Sequence, residues 1–332
     1  MQQPLRAVLC AAVFAVACGG EGPAQDARSD DEVLESGTPH TLALGDQAAA
    51  ARSAHLTYYG GPVLANAKAV AVLWGAQVDA TVQQRIGGFY KAAVASPYFT
   101  WLSEYDTPSQ HLGKGSFAGV VTIAPHAKGA HLTDAQIERE LAAQIKGGKL
   151  PAPDADTVYL LHFPPGVRIS MGGSSSCQSG GFCGYHSAFR RAGKTIAYAV
   201  LPDMGAGSGC DTGCGGGRKP FDVLTSVASH ELVEAVTDPE VGLGKGLGAP
   251  LAWYDAANGE IGDICNGKSG TLRAGGVSFV VQKQWSNAAR ACVLGKGRAG
   301  ADELDAGDPA MPLGTDQGLP PDSGQGPPPG SG

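Results

Sequence analysis

The chain has 332 residues, 43% of them apolar and 17% charged, with a formal net charge of -7 at pH 7. That apolar share can build a sizeable packed core, while the acidic balance excludes the basic field that nucleic acid requires. Beyond residue 17 no stretch approaches the roughly 18 apolar residues of a membrane-spanning helix.

In chain order, residues 1–17 read as a secretory signal peptide, with Arg6 in the n-region and an apolar run from Val8 to Val16. The signal ends Ala15-Val16-Ala17-Cys18-Gly19, a pattern like the lipobox of bacterial lipoproteins with Ala15 in the usual leucine position. Cys18 is therefore expected to carry lipid and tether an exported protein to the membrane of a bacterial cell envelope, with ordinary cleavage and release to the extracellular medium as the alternative. Residues 18–55 read as an acidic flexible tether that includes Asp30-Asp31-Glu32, residues 56–298 as one globular domain, and residues 299–332 as a disordered Pro/Gly/Asp-rich tail ending Pro327-Pro328-Pro329. The acids gather in these end segments, so the acidic balance belongs to them and not to the domain.

Within the domain, Lys68–Trp74 predicts a buried strand stopped by Gly75, and Asp79–Leu102 a helix broken near Pro97. Phe117–Ile123 predicts a second strand. Thr133-Asp134 caps a helix through Lys146, with Ile137, Leu141 and Ile145 on one face. Thr157–Phe163 and Thr195–Leu201 predict further strands, Pro220 suits the first turn of a long helix, and Val277–Gln284 gives a late strand. Alternating strands and helices imply an α/β or α+β fold: a single layered domain with a mixed sheet and packed helices, compatible with a zincin-like half.

Setting aside Cys10 in the signal and Cys18 leaves Cys177, Cys183, Cys210, Cys214, Cys265 and Cys292. An even set in an exported chain predicts disulfide-stapled loops. Six cysteines permit about 15 pairings, and proximity along the chain suggests Cys177 with Cys183, Cys210 with Cys214 and Cys265 with Cys292. Cys210 and Cys214 as half of a zinc knuckle is the weaker reading, because thiols pair in an oxidising compartment.

The segment that carries chemistry is Ser229-His230-Glu231-Leu232-Val233-Glu234, followed by Thr237-Asp238-Pro239. His230 and Glu234 are one helical turn apart on one face and can grip one cation. Glu231 stands where the general base of H-E-x-x-H zinc hydrolases stands, with Glu234 replacing the second histidine. The apolar stripe Phe221, Leu224, Val227, Leu232 and Val236 buries this helix, so its polar groups need buried partners. Glu260 or Asp263, in Gly259-Glu260-Ile261-Gly262-Asp263, is the expected third ligand.

Among other polar residues, His186 is a third-ligand candidate, although a backbone-bonded structural role is the simpler reading. His162 ends an apolar strand where sites collect; His126 and His131 flank a solvated loop. Ser174-Ser175-Ser176 lies in a Gly/Ser loop without a nucleophile setting.

Several ordered segments together resemble the phosphate-induced protein 1, or exordium-like, family. They are Leu56-Thr57-Tyr58-Tyr59-Gly60-Gly61-Pro62, Val72-Leu73-Trp74-Gly75, Phe182-Cys183-Gly184-Tyr185-His186, the His230 motif, Trp253-Tyr254-Asp255, Glu260-Ile261-Gly262-Asp263-Ile264-Cys265 and Val280–Asn287 with Cys292. The resemblance implies an extracellular protein, with plant members associated with cell expansion and growth signalling in the wall. The lipobox and the Pro-Gly tail depart from the plant pattern. Two functions follow as expectations. One is a zinc-dependent, peptidase-like hydrolase with His230, Glu234 and Glu260 or Asp263 on the metal, Glu231 as base, and a peptide or cell-surface substrate. The other is a non-catalytic surface or cell-wall module whose polar cluster is structural.

Overall fold

A computed structural model describes residues 34–38, 40–43, 53–215, 217–297 and 300–307. The chain divides into two units, Met1–Val33 and Leu34–Gly332, and every described residue belongs to the second. The signal, Cys18, and much of the tether and tail lie outside the described residues.

A seven-stranded sheet is built from β1 (Glu35–Ser36), β2 (His40–Ala43), β3 (Lys68–Leu73), β4 (Ser116–Thr122), β5 (Thr157–His162), β6 (Phe182–Arg191) and β7 (Lys194–Leu201). The spatial order is β4-β3-β5-β7-β6, with β1 and β2 both pairing with β6. The pairs β3/β4, β3/β5 and β5/β7 are parallel, and β6 runs antiparallel to β7. β3 and β5 are covered on both faces, which explains their unbroken apolar runs. β1 and β2 fall within the stretch read as a tether, so the folded unit reaches back to Leu34. At the other end Glu303–Asp305, inside the stretch read as tail, pairs in parallel with Ser269–Ala274.

Three long helices cover the sheet: α1 (Ala80–Ala95), α2 (Asp134–Lys146) and α3 (Pro220–Thr237). Asp79 caps α1 by accepting from the N–H groups of Thr81 and Val82, and Thr133 with Gln136 forms a capping box on α2. Alternate residues of the strands divide two cores. Ala69, Ala71 and Leu73 meet Ile86, Phe89 and the α3 residues Leu224 and Val227, whereas Val70, Val72 and Leu161 meet Ile137 and Leu141 of α2. The helix expected over Asp79–Leu102 does break at Pro97, which opens a short helical stretch ending at Tyr105.

The hairpin β8 (Ser269–Ala274) and β9 (Val277–Gln282) packs on α3 from the side opposite β6 and β7. α3 is thereby enclosed, and all its residues except Pro220 and Asp222 are buried. The late strand expected as Val277–Gln284 divides at Lys283, since Gln284–Ser286 pairs instead with Ala291–Val293.

All six domain cysteines are in disulfides, Cys177–Cys210, Cys183–Cys214 and Cys265–Cys292. Proximity along the chain is right for the last pair and wrong for the other two. Cys210 opens the short helix Cys210–Gly213 and Cys214 caps its end; the first reaches Cys177 in the segment before β6 and the second reaches Cys183 at the start of β6. The short spacings therefore do not close on themselves; two parallel staples join the short helix to the start of β6 and the segment before it.

Candidate metal centre

Four elements converge at the carboxyl half of α3. The helix presents His230, Glu231 and Glu234, β6 brings His186, the Gly259–Cys265 segment brings Glu260 and Asp263, and β9 ends in Gln282. His186, His230, Glu231 and Glu260 are fully buried and Glu234 is 1% exposed, whereas the Asp263 side chain keeps 19% of its surface.

The positions are fixed by backbone contacts. Ser229 Oγ accepts from the Gln282 N–H at 2.9 Å and so docks β9 on the helix. Glu234 Oε1 accepts from the N–H groups of Gly262 and Asp263, both at 3.1 Å, and holds the acidic segment against α3. The Cys265–Cys292 disulfide ties the end of that segment down. Two glycines allow the close approach: a Cβ on Gly184 would lie 2.8 Å from Glu231 Oε1, and one on Gly262 would lie 2.5 Å from His230 Nδ1.

The two histidines differ in how their ring nitrogens are used. Gln282 Nε2 is 2.8 Å from the Gly262 carbonyl and 2.8 Å from His230 Nδ1, so the amide nitrogen donates to both and Nδ1 is an acceptor. The His230 proton then sits on Nε2, which lies 3.0 Å from Glu234 Oε2 and 3.8 Å from Asp263 Oδ1 without hydrogen-bond geometry to either. His186 faces carboxylates on both sides. Its Nδ1 is 3.4 Å from Glu231 Oε2 and 3.5 Å from Glu234 Oε2, and its Nε2 is 3.5 Å from Glu260 Oε1.

Two sets of donor atoms are spaced to hold a cation, His186 with Glu231 and Glu234, and His230 with Glu234 and Asp263; Glu234 belongs to both. Counted by themselves, the six side chains carry four carboxyls against two imidazoles, an excess of negative charge even with both rings protonated. Burial raises the Glu231 carboxyl to about 7 against the pull of His186 and His230. Burial alone would lower His186, but Glu260, Glu231 and Glu234 outweigh it and raise the ring well above its ordinary value. Tyr254, beside Glu260 and Asp263, is pushed up to about 12, first by burial and then by those charges. Glu231 Oε1, His186 Nε2 and His230 Nε2 have no hydrogen-bond partner among the described residues.

The structure therefore gathers His230, Glu231, Glu234, Glu260 and Asp263 in one cluster and adds His186 and Gln282. Sequence reasoning ranked His186 as a structural residue and did not single out Gln282 as a site residue. The usable signal was Gly184, two residues before His186, which a buried strand tolerates best where another group needs its space. His126 pairs with Glu140 at 3.1 Å near the surface, and His162 is buried against the Tyr90 hydroxyl at 3.0 Å, both outside the cluster.

The chain is similar to the protein EXORDIUM-like 5 of Arabidopsis thaliana, 25% identical over 257 residues that cover 67% of each chain. That similarity supports the exordium-like resemblance at the level of family, and with the three disulfides it fits an extracellular protein. No family model and no solved structure matches the chain.

Proposed function

We propose that the protein is an exported surface module whose core is fastened by one buried divalent cation on His186 Nδ1, Glu231 and Glu234, with Glu260 receiving the Nε2–H of His186. The observation that carries this reading is the spacing around His186 Nδ1, 3.4 and 3.5 Å to the two carboxylates. Charge-assisted hydrogen bonds run about 2.7–2.9 Å. Ligand atoms on a tetrahedral ion with bonds of about 2.0–2.1 Å stand about 3.3 Å apart. A ligating histidine that turns its other N–H to a carboxylate is the usual outer-shell arrangement, and Glu260 Oε1 stands 3.5 Å from His186 Nε2, on the side where that partner would lie. His230 supplies the opposite, since a Nδ1 that accepts from Gln282 leaves Nε2 protonated. Zinc suits an imidazole with carboxylates.

The same arrangement favours a module over the peptidase-like hydrolase. Glu231 is engaged with His186 and is not free to serve as base, and the donor atoms are enclosed. Attachment to a membrane through a lipid on Cys18 belongs to this reading, supported by the lipobox-like sequence. It is checked by detergent partitioning and the mass of the first residue, with release expected for Cys18→Ser.

Elemental analysis of purified protein tests the centre. We expect about one divalent metal per chain, lost in His186→Ala and kept in His230→Ala, with chelation lowering the melting temperature by several degrees. Metal lost only in His230→Ala moves the site to His230, Glu234 and Asp263. A metal-free protein indifferent to chelators leaves a hydrogen-bond network in its place. Hydrolysis of a peptide library by the wild type, abolished in Glu231→Gln with metal retained, would restore the hydrolase.

A further inference from the structure

A cavity of about 420 Å³ opens at the carboxyl ends of β5 and β7, away from the buried cluster. The chain leaves β3 through α1 to β4 on one side and returns through α2 to β5 on the other side of β3. β3 and β5 are thus neighbours whose connections depart in opposite directions, the place where open parallel sheets bind ligands. The loop after β3, the ends of β5 and β7, and the first turns of α1 and α3 all line the cavity.

The lining includes a buried histidine with one ring nitrogen left without a partner among the described residues. His162 is 1% exposed, and its Nδ1 makes no hydrogen bond among the described residues. Its Nε2 is taken by the Tyr90 hydroxyl, and Tyr90 does not line the cavity, so the nitrogen left for a ligand is Nδ1. Burial lowers the ring to about 3, so His162 is neutral and offers a hydrogen bond without charge.

Charge in the cavity is divided by position. Asp79 and Asp203 come from the loops after β3 and β7, whereas Arg85 and Lys219 come from the helical side, where Asp222 offsets them in part. Burial raises the Asp203 carboxyl, and the charges of Asp79 and Asp211 raise it further against a hydrogen bond from Gly205. An incoming cation would relieve that repulsion. Also in the lining, α3 begins at Pro220 with no side-chain cap, beside Lys219, a setting that favours an anion. Phe163 and Met204 supply apolar wall, while the Phe221 ring is covered by Arg85 at 4.3 Å.

We propose that this crevice binds an apolar α-amino acid or dipeptide as its zwitterion, the ammonium between Asp79 and Asp203, the carboxylate by Lys219 and Arg85, and a polar backbone group on His162 Nδ1. Both charges of the ligand are recognised, which separates it from an amine, an acid or a sugar of similar size. The site is independent of the cation centre and stands or falls separately.

Calorimetric titration of the purified protein with L-leucine and with the dipeptide Leu-Leu tests the assignment. Saturable binding to at least one of them is expected, weakened about tenfold or more when either charge is removed, as in N-acetyl-leucine or leucinamide. Asp203→Asn should weaken the free ligand while leaving N-acetyl-leucine unchanged, and Lys219→Ala should do the converse with leucinamide. Lys219 is exposed and Asp203 is partly so, and unchanged melting curves will show that both variants fold. No saturable binding of either probe overturns the proposal. So does equal binding of the charged and blocked forms, or preferential binding of glucose.

Discussion

At the scale of single residues, a second buried acidic group gives a pH-dependent prediction that avoids the cation centre. Glu138 on α2 accepts hydrogen bonds from Ser36 of β1 and from Tyr198, and its helical neighbour Asp134 accepts from the hydroxyls of Tyr185 and Tyr198, both at 2.7 Å. Burial first, with the charge of Asp134 adding to it, raises the Glu138 carboxyl to about 7. A carboxyl whose folded value lies above its unfolded value binds more protons when folded. Its stabilising contribution is therefore complete below the unfolded value and disappears as pH rises through about 7. Glutamine mimics the protonated form. Glu138→Gln should match the wild type near pH 4.5 and exceed it in stability by on the order of 1 kcal/mol near pH 8, read from urea midpoints across the range. A gap that does not change with pH would show that Glu138 is ionised throughout.

At the scale of elements, the three long helices were legible because their caps and apolar spacing are local signals: Asp79, Thr133-Asp134 and Pro220 each mark a start that the structure keeps. β6 was not legible as a strand, and with it went the weight of His186. Its first eight residues are buried on both faces, so the alternation that marks a half-buried strand is missing, and Gly184 further lowers its strand character. The acids of the Gly259–Cys265 segment were legible as candidates, but their approach to α3 depends on long-range contacts that no local pattern carries. That approach is itself testable. Because a Cβ on Gly262 would meet His230 Nδ1 at 2.5 Å and Glu234 Oε1 at 2.7 Å, Gly262→Ala should cost about 1–3 kcal/mol. Gly184→Ala should cost a similar amount, since its Cβ would press on Glu231 Oε1 and Val227 Cγ1, both at 2.8 Å. Urea midpoints within error of the wild type for both would mean that the cluster is looser than these distances require.

At the scale of the whole molecule, the two disulfides missed by chain proximity have a consequence that adjacent pairings would not. Cys177–Cys210 and Cys183–Cys214 span 33 and 31 residues, and both closures contain β6 and β7. The loop that follows β7, which carries Asp203 and Met204 into the crevice, lies inside both closures, and the His186 strand begins at one of them. Closing about 30 residues restricts the unfolded chain by about 3–4 kcal/mol per bridge at 25 °C in the chain-entropy account. Disulfides between adjacent cysteines would close much shorter loops and restrict less. With Cys177–Cys210 intact the second bridge closes a shorter path of about 10 residues, so Cys183→Ser with Cys214→Ser should lower unfolding free energy by about 2–3 kcal/mol. Non-reducing peptide mapping of the wild type should recover Cys177 linked to Cys210 and Cys183 linked to Cys214. Recovery of peptides joining Cys177 to Cys183, or Cys210 to Cys214, would refute this connectivity and detach the crevice wall from β6.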